Sequence, residues 1–416
     1  MNFKTSPFYS TIVKTLFTSV VAIFFINPCF AQKELSTKEK LADFNYLYQE
    51  LKQSYPYFGI NKRVFTTDWL SNKKKYIKAI KNTKNDVAFF KVFSGIMNDL
   101  NNGHTDAYPT SIYTYFYDAY KQAATQDTIY AIYVRELEKT DTIRSKYWND
   151  INLELFFPEK KNNDHETNVN EVKTKVFENV EINFIDSLST AIIQVKSFSY
   201  DYVENDATTL MHFFKKAHNY KNLIIDIQGN SGGSTEYWMN NMIPHLIKNT
   251  INAPVVYAFK NSDRLKKFKP FYFENIVTYE EIGLPNMPKE LKDGSYLFRR
   301  DSMKIAPSAT HKKYLGKIYL LVDDVVFSSS EALAYFCKAT KFATVVGEKT
   351  SGDGVGTDPL LLTLPNSGIV IRFTGEMGLN PDGSPNDETK TIPDLILKAS
   401  SKTERRNKLL EYIKHK

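Results

Sequence analysis

Asn222-Leu223-Ile224-Ile225-Asp226-Ile227-Gln228-Gly229-Asn230-Ser231-Gly232-Gly233 decides the fold: a short apolar run that ends in a polar, glycine-rich turn. A run of this length bounded by turn residues reads as a buried strand. Related units flank it on both sides. Upstream, Thr190 to Phe198 is rich in β-branched residues, and Tyr202 to His218 places Val203, Ala207, Leu210, Met211 and Phe214 at helical spacing. Downstream, Thr235 to Asn249 reads as a helix, Ala253 to Phe259 and Lys317 to Asp323 as strands, Ser329 to Thr340 as a helix, and Ala343 to Gly347 as a strand. Strands alternating with helices predict an α/β core on a largely parallel sheet. Asn261 to Lys313 reads as an insertion, and Leu360 to Thr374 as a hairpin around Pro365-Asn366-Ser367-Gly368.

Towards the N-terminus the period changes. Leu41, Phe44, Leu47 and Leu51, then Phe89, Phe90, Phe93, Ile96 and Met97, recur at helical intervals and predict an N-terminal helical region over 32–107. Its cluster Lys73-Lys74-Lys75 with Lys78 and Lys81 reads as a solvated face. Residues 108–185 are irregular and rich in Tyr and Thr, which predicts a β-rich segment around a polar loop at Glu159 to Glu166. That segment lacks the Gly-Leu-Gly loop of a peptide-binding PDZ module. The core is expected over 186–400, with 401–416 as a basic C-terminal helix or tail.

The first residues carry Lys4 and Lys14, an apolar run from Thr15 to Phe25, and Asn27-Pro28-Cys29-Phe30-Ala31. This pattern predicts a signal peptide over 1–31, cleaved after Ala31, and export to the periplasm or beyond. The run is shorter than the roughly 18 to 20 residues of a membrane span, so no stable membrane insertion is expected after cleavage. The full chain of 416 residues has a formal charge of +7. Losing the two lysines lowers that excess, which is too small to predict a nucleic-acid partner. Cys29 would leave with the signal, so Cys337 would have no partner for a disulfide.

Two stretches carry chemistry: Asn102-Gly103-His104-Thr105, and Phe327-Ser328-Ser329-Ser330-Glu331-Ala332 at a strand-to-helix turn. A serine hydroxyl needs a base within hydrogen-bond reach and donors for the oxyanion it generates. Ser328 at a helix start fits a nucleophile, yet Ser-x-x-Glu is equally a capping box. Gly232 and Gly233 could bring backbone N–H groups to a substrate, or simply make a tight turn. Of seven histidines, only His104 follows a glycine in a loop after a predicted helix. There is no His-Glu-x-x-His, and no metal or other cofactor is expected.

Taken in order, His104, Asp226 to Gly233, Ser328 to Glu331, Gly347-Glu348-Lys349-Thr350 with Gly352, Leu364-Pro365, Pro381-Asp382-Gly383 and Ile392-Pro393-Asp394 resemble the S41 family of serine peptidases. The resemblance implies a crotonase-like α/β core, an acyl-enzyme mechanism, and a peptide or protein as substrate. It places the nucleophile at Ser328 and the oxyanion hole at Ser329 with Gly232 or Gly233. The C-terminal processing branch takes its lysine base from the position that here is Asp353, which argues against a Ser/Lys dyad. In the tricorn-like branch a histidine from a Gly/Ser-His segment is the base, which maps onto His104. A supporting carboxylate near the C-terminal Pro-Asp motif maps onto Asp387, with Glu388 its neighbour. Gln228 stands where many relatives have arginine.

The leading expectation is a secreted serine endopeptidase. The rival is a non-catalytic binder of an apolar ligand or peptide on the same scaffold, kept open by Asp353 and the 14% aromatic content. An acyl-CoA enzyme of related layout conflicts with export.

Overall fold

The structure, a computed structural model, describes residues 34–107, 110–140, 143, 178–308 and 313–416. The expected signal segment with its cleavage site, the polar loop with His165, and His311 lie outside the described residues. The described strands, in chain order, are β1 (Asp106–Ala107), β2 (Val180–Ile185), β3 (Thr190–Val195), β4 (Asn222–Asp226), β5 (Ile251–Lys260), β6 (Ile276–Val277) and β7 (Tyr296–Ile305). They continue with β8 (Lys317–Val322), β9 (Thr344–Gly347), β10 (Leu360–Thr363), β11 (Val370–Phe373), β12 (Glu376–Leu379) and β13 (Leu395–Ile396). Helices α1 (Thr37–Ser54), α2 (Phe58–Phe65), α3 (Lys73–Lys81) and α4 (Asp86–Asn98) precede β1, and α5 (Thr110–Ala123) and α6 (Tyr130–Glu138) follow it. The remaining helices are α7 (Asp201–Asn205), α8 (Ala207–Ala217), α9 (Glu236–Asn241), α10 (Asp263–Phe268), α11 (Tyr279–Ile282), α12 (Ser329–Thr340), α13 (Asn386–Thr389) and α14 (Lys402–Lys414).

The central sheet has six strands in the order β13-β9-β8-β4-β3-β2. All its pairs are parallel except the edge hairpin β2–β3. Continuous apolar runs such as Leu223-Ile224-Ile225 suit this sheet because both of its faces are covered. Leu210 and Phe214 of α8, Trp238 of α9 and Phe336 of α12 join the core on one face. Leu409 and Ile413 of α14 cover Ile192, Ile224 and Leu321 on the other. In a parallel sheet the strand C-termini open onto one edge, where ligands are received. The turns after β4 and β8, which carry Gly232 and Ser328, both lie there.

The helical layer forms a second core. Phe44 and Leu47 of α1, Trp69 of the α2–α3 connection, and Phe89 and Phe93 of α4 cluster with Val255 and Phe259 of β5 and Phe298 of β7. These strands belong to an antiparallel sheet of order β12-β5-β7-β6. A third sheet, β1-β11-β10, pairs Asp106 with Arg372 and fixes the segment that follows His104.

Three expectations need correction. The described part of 108–185 holds two helices, not short strands, before β2 begins. Its aromatic residues lie one helical turn apart and stack, Tyr113 on Tyr117 at 6.1 Å and Phe116 on Tyr120 at 5.8 Å. The stretch read as an insertion contributes β7, which pairs with β5 over ten residues from Tyr296 to Ile305. The helix expected from Thr235 to Asn249 stops after Asn241, and a 3-10 turn at Ile243–His245 follows. Pro244 has no N–H to give a continuing α-helix.

Candidate active site

Ser328 sits between the turn after β8 and the first residue of α12, with φ 56° and ψ −125°. That is a costly conformation for an L-residue and holds the side chain clear of the helix it precedes. The hydroxyl makes no capping bond to α12, so the capping-box alternative does not apply. Glu331 instead turns inward and accepts hydrogen bonds from Asn386 Nδ2 (2.8 Å) and Thr391 Oγ1 (2.7 Å). Ser328 Oγ lies 3.0 Å from His104 Nε2.

His104 arrives from the loop between α4 and β1, 224 residues earlier in the chain. The Phe327 ring stacks on its imidazole, with centroids 4.8 Å apart. Gly103 makes room for that ring, because a Cβ there would lie 2.5 Å from Phe327 Cζ. The second imidazole nitrogen, Nδ1, is 2.8 Å from Asp353 Oδ2. Asp353 is 5% exposed and adopts a left-handed φ of 56°. Its loop is tied to the serine turn, since the Ser328 N–H donates to the Gly352 carbonyl at 3.3 Å.

Asp353, read from sequence as a lost base, is thus the carboxylate that touches His104. Asp387, expected in that place, makes no hydrogen bond to the imidazole. It lies behind Asp353, where burial and the Asp353 charge hold its carboxyl well above the usual range. Glu388 faces away and pairs with Arg63 at 2.5 Å. A signal for Asp353 did exist: it occupies the position of the processing-branch base, and a carboxylate there beside a histidine base makes a third member.

The glycine turn after β4 runs directly beside the serine. A Cβ on Gly232 would lie 2.9 Å from Ser328 Cβ and 3.0 Å from Ser329 N, so only glycine fits. The Gly232 N–H is already given to Asn230 Oδ1 at 3.0 Å. Among the described residues the N–H groups of Gly233 and Ser329 have no acceptor, which makes them the better oxyanion donors of the expected three. Asn230 stiffens the turn, donating to the Val195 carbonyl (3.1 Å) and accepting from Ser330 Oγ (2.7 Å).

At Gln228 the missing arginine is supplied from α14. Arg405 Nη1 donates to Gln228 Oε1 (2.6 Å), and Arg406 Nε donates to buried Asp226 Oδ2 (2.8 Å). Burial raises the Asp226 carboxyl, and Arg406 opposes that shift. Nothing in the local sequence around Gln228 points to these partners.

Hydroxyl, imidazole and carboxylate in hydrogen-bonded series, with two free N–H groups beside the hydroxyl, form a constellation suited to acyl transfer. The family model for peptidase family S41 matches residues 189–397. A crystal structure described as that of a candidate peptidase from Parabacteroides merdae is similar, with a TM-score of 0.56 and 15% identity over 90% of this chain and 96% of that one. Mature CPAF gives 0.54 at 13% identity over 91% and 96%, and CPAF complexed with lactacystin 0.53 at 14% over 91% and 97%. At such identities these likenesses carry the fold alone. No curated protein sequence matches the chain. By its family match and the order of its motifs, the chain belongs to peptidase family S41, whose members are serine peptidases.

Proposed function

We propose that this chain is an exported serine endopeptidase that cleaves peptide bonds through an acyl-enzyme on Ser328, with a crotonase-like core. The observation that carries the reading is the series Ser328–His104–Asp353 at 3.0 and 2.8 Å. His104 Nε2 takes the hydroxyl proton as Ser328 Oγ attacks the scissile carbonyl carbon. The carbonyl oxygen gains the electron pair and is met by the N–H groups of Ser329 and Gly233. Collapse of the tetrahedral intermediate expels the amine, which receives the proton from His104. Water, activated by the same imidazole, then hydrolyses the ester and restores the hydroxyl. Asp353 fixes the imidazole tautomer and faces the imidazolium as it forms.

Export is supported by the leader pattern, Lys4 and Lys14 with the apolar run from Thr15 to Phe25. The rival binding-protein reading rested on the aromatic content and on Asp353 as a lost base. Its contact with His104 supports catalysis instead.

Fluorophosphonate labelling of the purified protein, with the adduct mapped by mass spectrometry, tests the proposal. Wild type should carry the adduct on Ser328. Ser328→Ala and His104→Ala should lose peptide hydrolysis by about 10⁴-fold or more while folding normally, and Asp353→Asn should lose on the order of 10²- to 10⁴-fold. A folded wild type that does not label, beside a serine hydrolase that does, overturns it.

A further inference from the structure

Asn102 lies where the two halves of the site meet, and it belongs to no catalytic role assigned so far. Its Oδ1 accepts from the His104 N–H (3.2 Å), Thr105 Oγ1 (2.7 Å) and Thr374 Oγ1 (3.1 Å). Its Nδ2 donates to Asp353 Oδ2 at 3.1 Å, the same oxygen that faces His104 Nδ1. Three donors on one side and a carboxylate on the other fix the sense of the amide. One side chain therefore grips the backbone of the base and the oxygen that orients it, although these stand 249 residues apart in sequence.

We infer that Asn102 is the positioning residue of the site: it locks the Asp353 carboxylate so that Oδ2 stays on His104 Nδ1 while holding the His104 loop in register. The inference rests on the Ser328–His104–Asp353 reading. Asp353 is joined to His104 through a single oxygen, and a carboxylate so held can rotate about its Cβ–Cγ bond. The second donor, on that same oxygen, opposes the rotation. Rigid placement of this kind is what orientation demands, because a shift of about 1 Å costs roughly 10²-fold in rate.

Only a carboxamide of this length meets both requirements. Aspartate at 102 keeps the three donor contacts but sets a third carboxylate against Asp353 and Asp387. Alanine abandons both ends. Asn102 thus differs from a residue that merely fills space, for which the isosteric aspartate would serve.

The test measures kcat and KM separately on an activated ester for wild type, Asn102→Asp and Asn102→Ala. It is accompanied by proton NMR of the low-field His104 Nδ1–H resonance in each. Both variants should fold, lose about 10²-fold in kcat with KM within about threefold, and broaden or lose that resonance. Either variant folding with kcat and the resonance unchanged overturns the inference. A second measurement avoids Asn102 variants: Asp353→Asn should shift the side-chain amide resonance of Asn102, and an unmoved resonance also overturns it. The NMR arms read the His104–Asp353–Asn102 contacts whether or not the protein labels with fluorophosphonate. Failure of the proposed function and failure of this inference are thereby told apart.

Discussion

The loop that carries Asp353 is held at two points by buried carboxylates, and the two are solved differently. Beyond Asp353, the N–H and Oγ1 of Thr357 donate to Glu376 Oε1 at 2.8 Å each, and Lys269 Nζ meets Glu376 Oε2 at 2.7 Å. Both charged side chains are almost wholly buried. Nearer the serine, the Gly354 N–H donates to Asn386 Oδ1, and Asn386 in turn donates to Glu331. Glu331 is just as buried, but its hydrogen-bond donors are neutral, and its Oε2 has no partner among the described residues. Burial lifts its carboxyl to about 7, against the lowering effect of Thr350, Thr391 and Asn386. A buried acid beside a cation becomes a dependency on that cation. One held by amides and hydroxyls becomes a dependency on pH.

The largest effect should come from breaking the first anchor. Lys269→Ala strands Glu376 in the core and should cost about 3 to 5 kcal/mol in urea unfolding, because removing one partner leaves a buried charge uncompensated. A loss below about 1 kcal/mol would show that the pair is not closed in solution.

The second anchor predicts a slope. The folded Glu331 carboxyl, at about 7, stands above its ordinary 4.5, so the folded state holds the proton more tightly. Its contribution is complete below pH 4.5 and is lost as pH rises through 7, by about 3 kcal/mol in all. Glu331→Gln should flatten that slope in unfolding measured across this window. An unchanged slope would mean that Glu331 titrates normally.

The smallest effect should come from Arg63, which pairs with Glu388 and Glu290 near the outer side of the same segment. Arg63 is 40% exposed, so Arg63→Ala should cost no more than about 1 kcal/mol and leave Ser328 labelling intact. A larger loss would extend the buried anchor outward to Arg63.

Much of the central sheet was legible because its strands are unbroken apolar runs and its helices keep a clean period. The second core was harder to read. Strand β7 mixes Arg299, Arg300, Asp301 and Lys304 with its apolar residues, since one side faces outward and no continuous run marks it. Helices α5 and α6 hide behind tyrosines and threonines, which favour strands in general, and only the spacing of their stacked rings betrays the helix. In the site, His104 and Ser328 stood out because glycine, histidine and a serine turn are distinctive locally. Asp353 stood out only as a departure from the processing-branch lysine, because its place beside His104 depends on a contact 249 residues away. The arginines of α14 that support Gln228 were beyond reach for the same reason, 177 residues on.

The order of the three residues along the chain has a consequence for biosynthesis. His104 leaves the ribosome first, Ser328 and Asp353 more than two hundred residues later, and no contiguous fragment shorter than that span contains both acid–base partners. On the proposed mechanism, a nascent chain therefore has a base with nothing to activate, and a truncated C-terminal product has a serine with no base. Proteolytic competence, on that mechanism, requires the helical layer to close on the finished sheet.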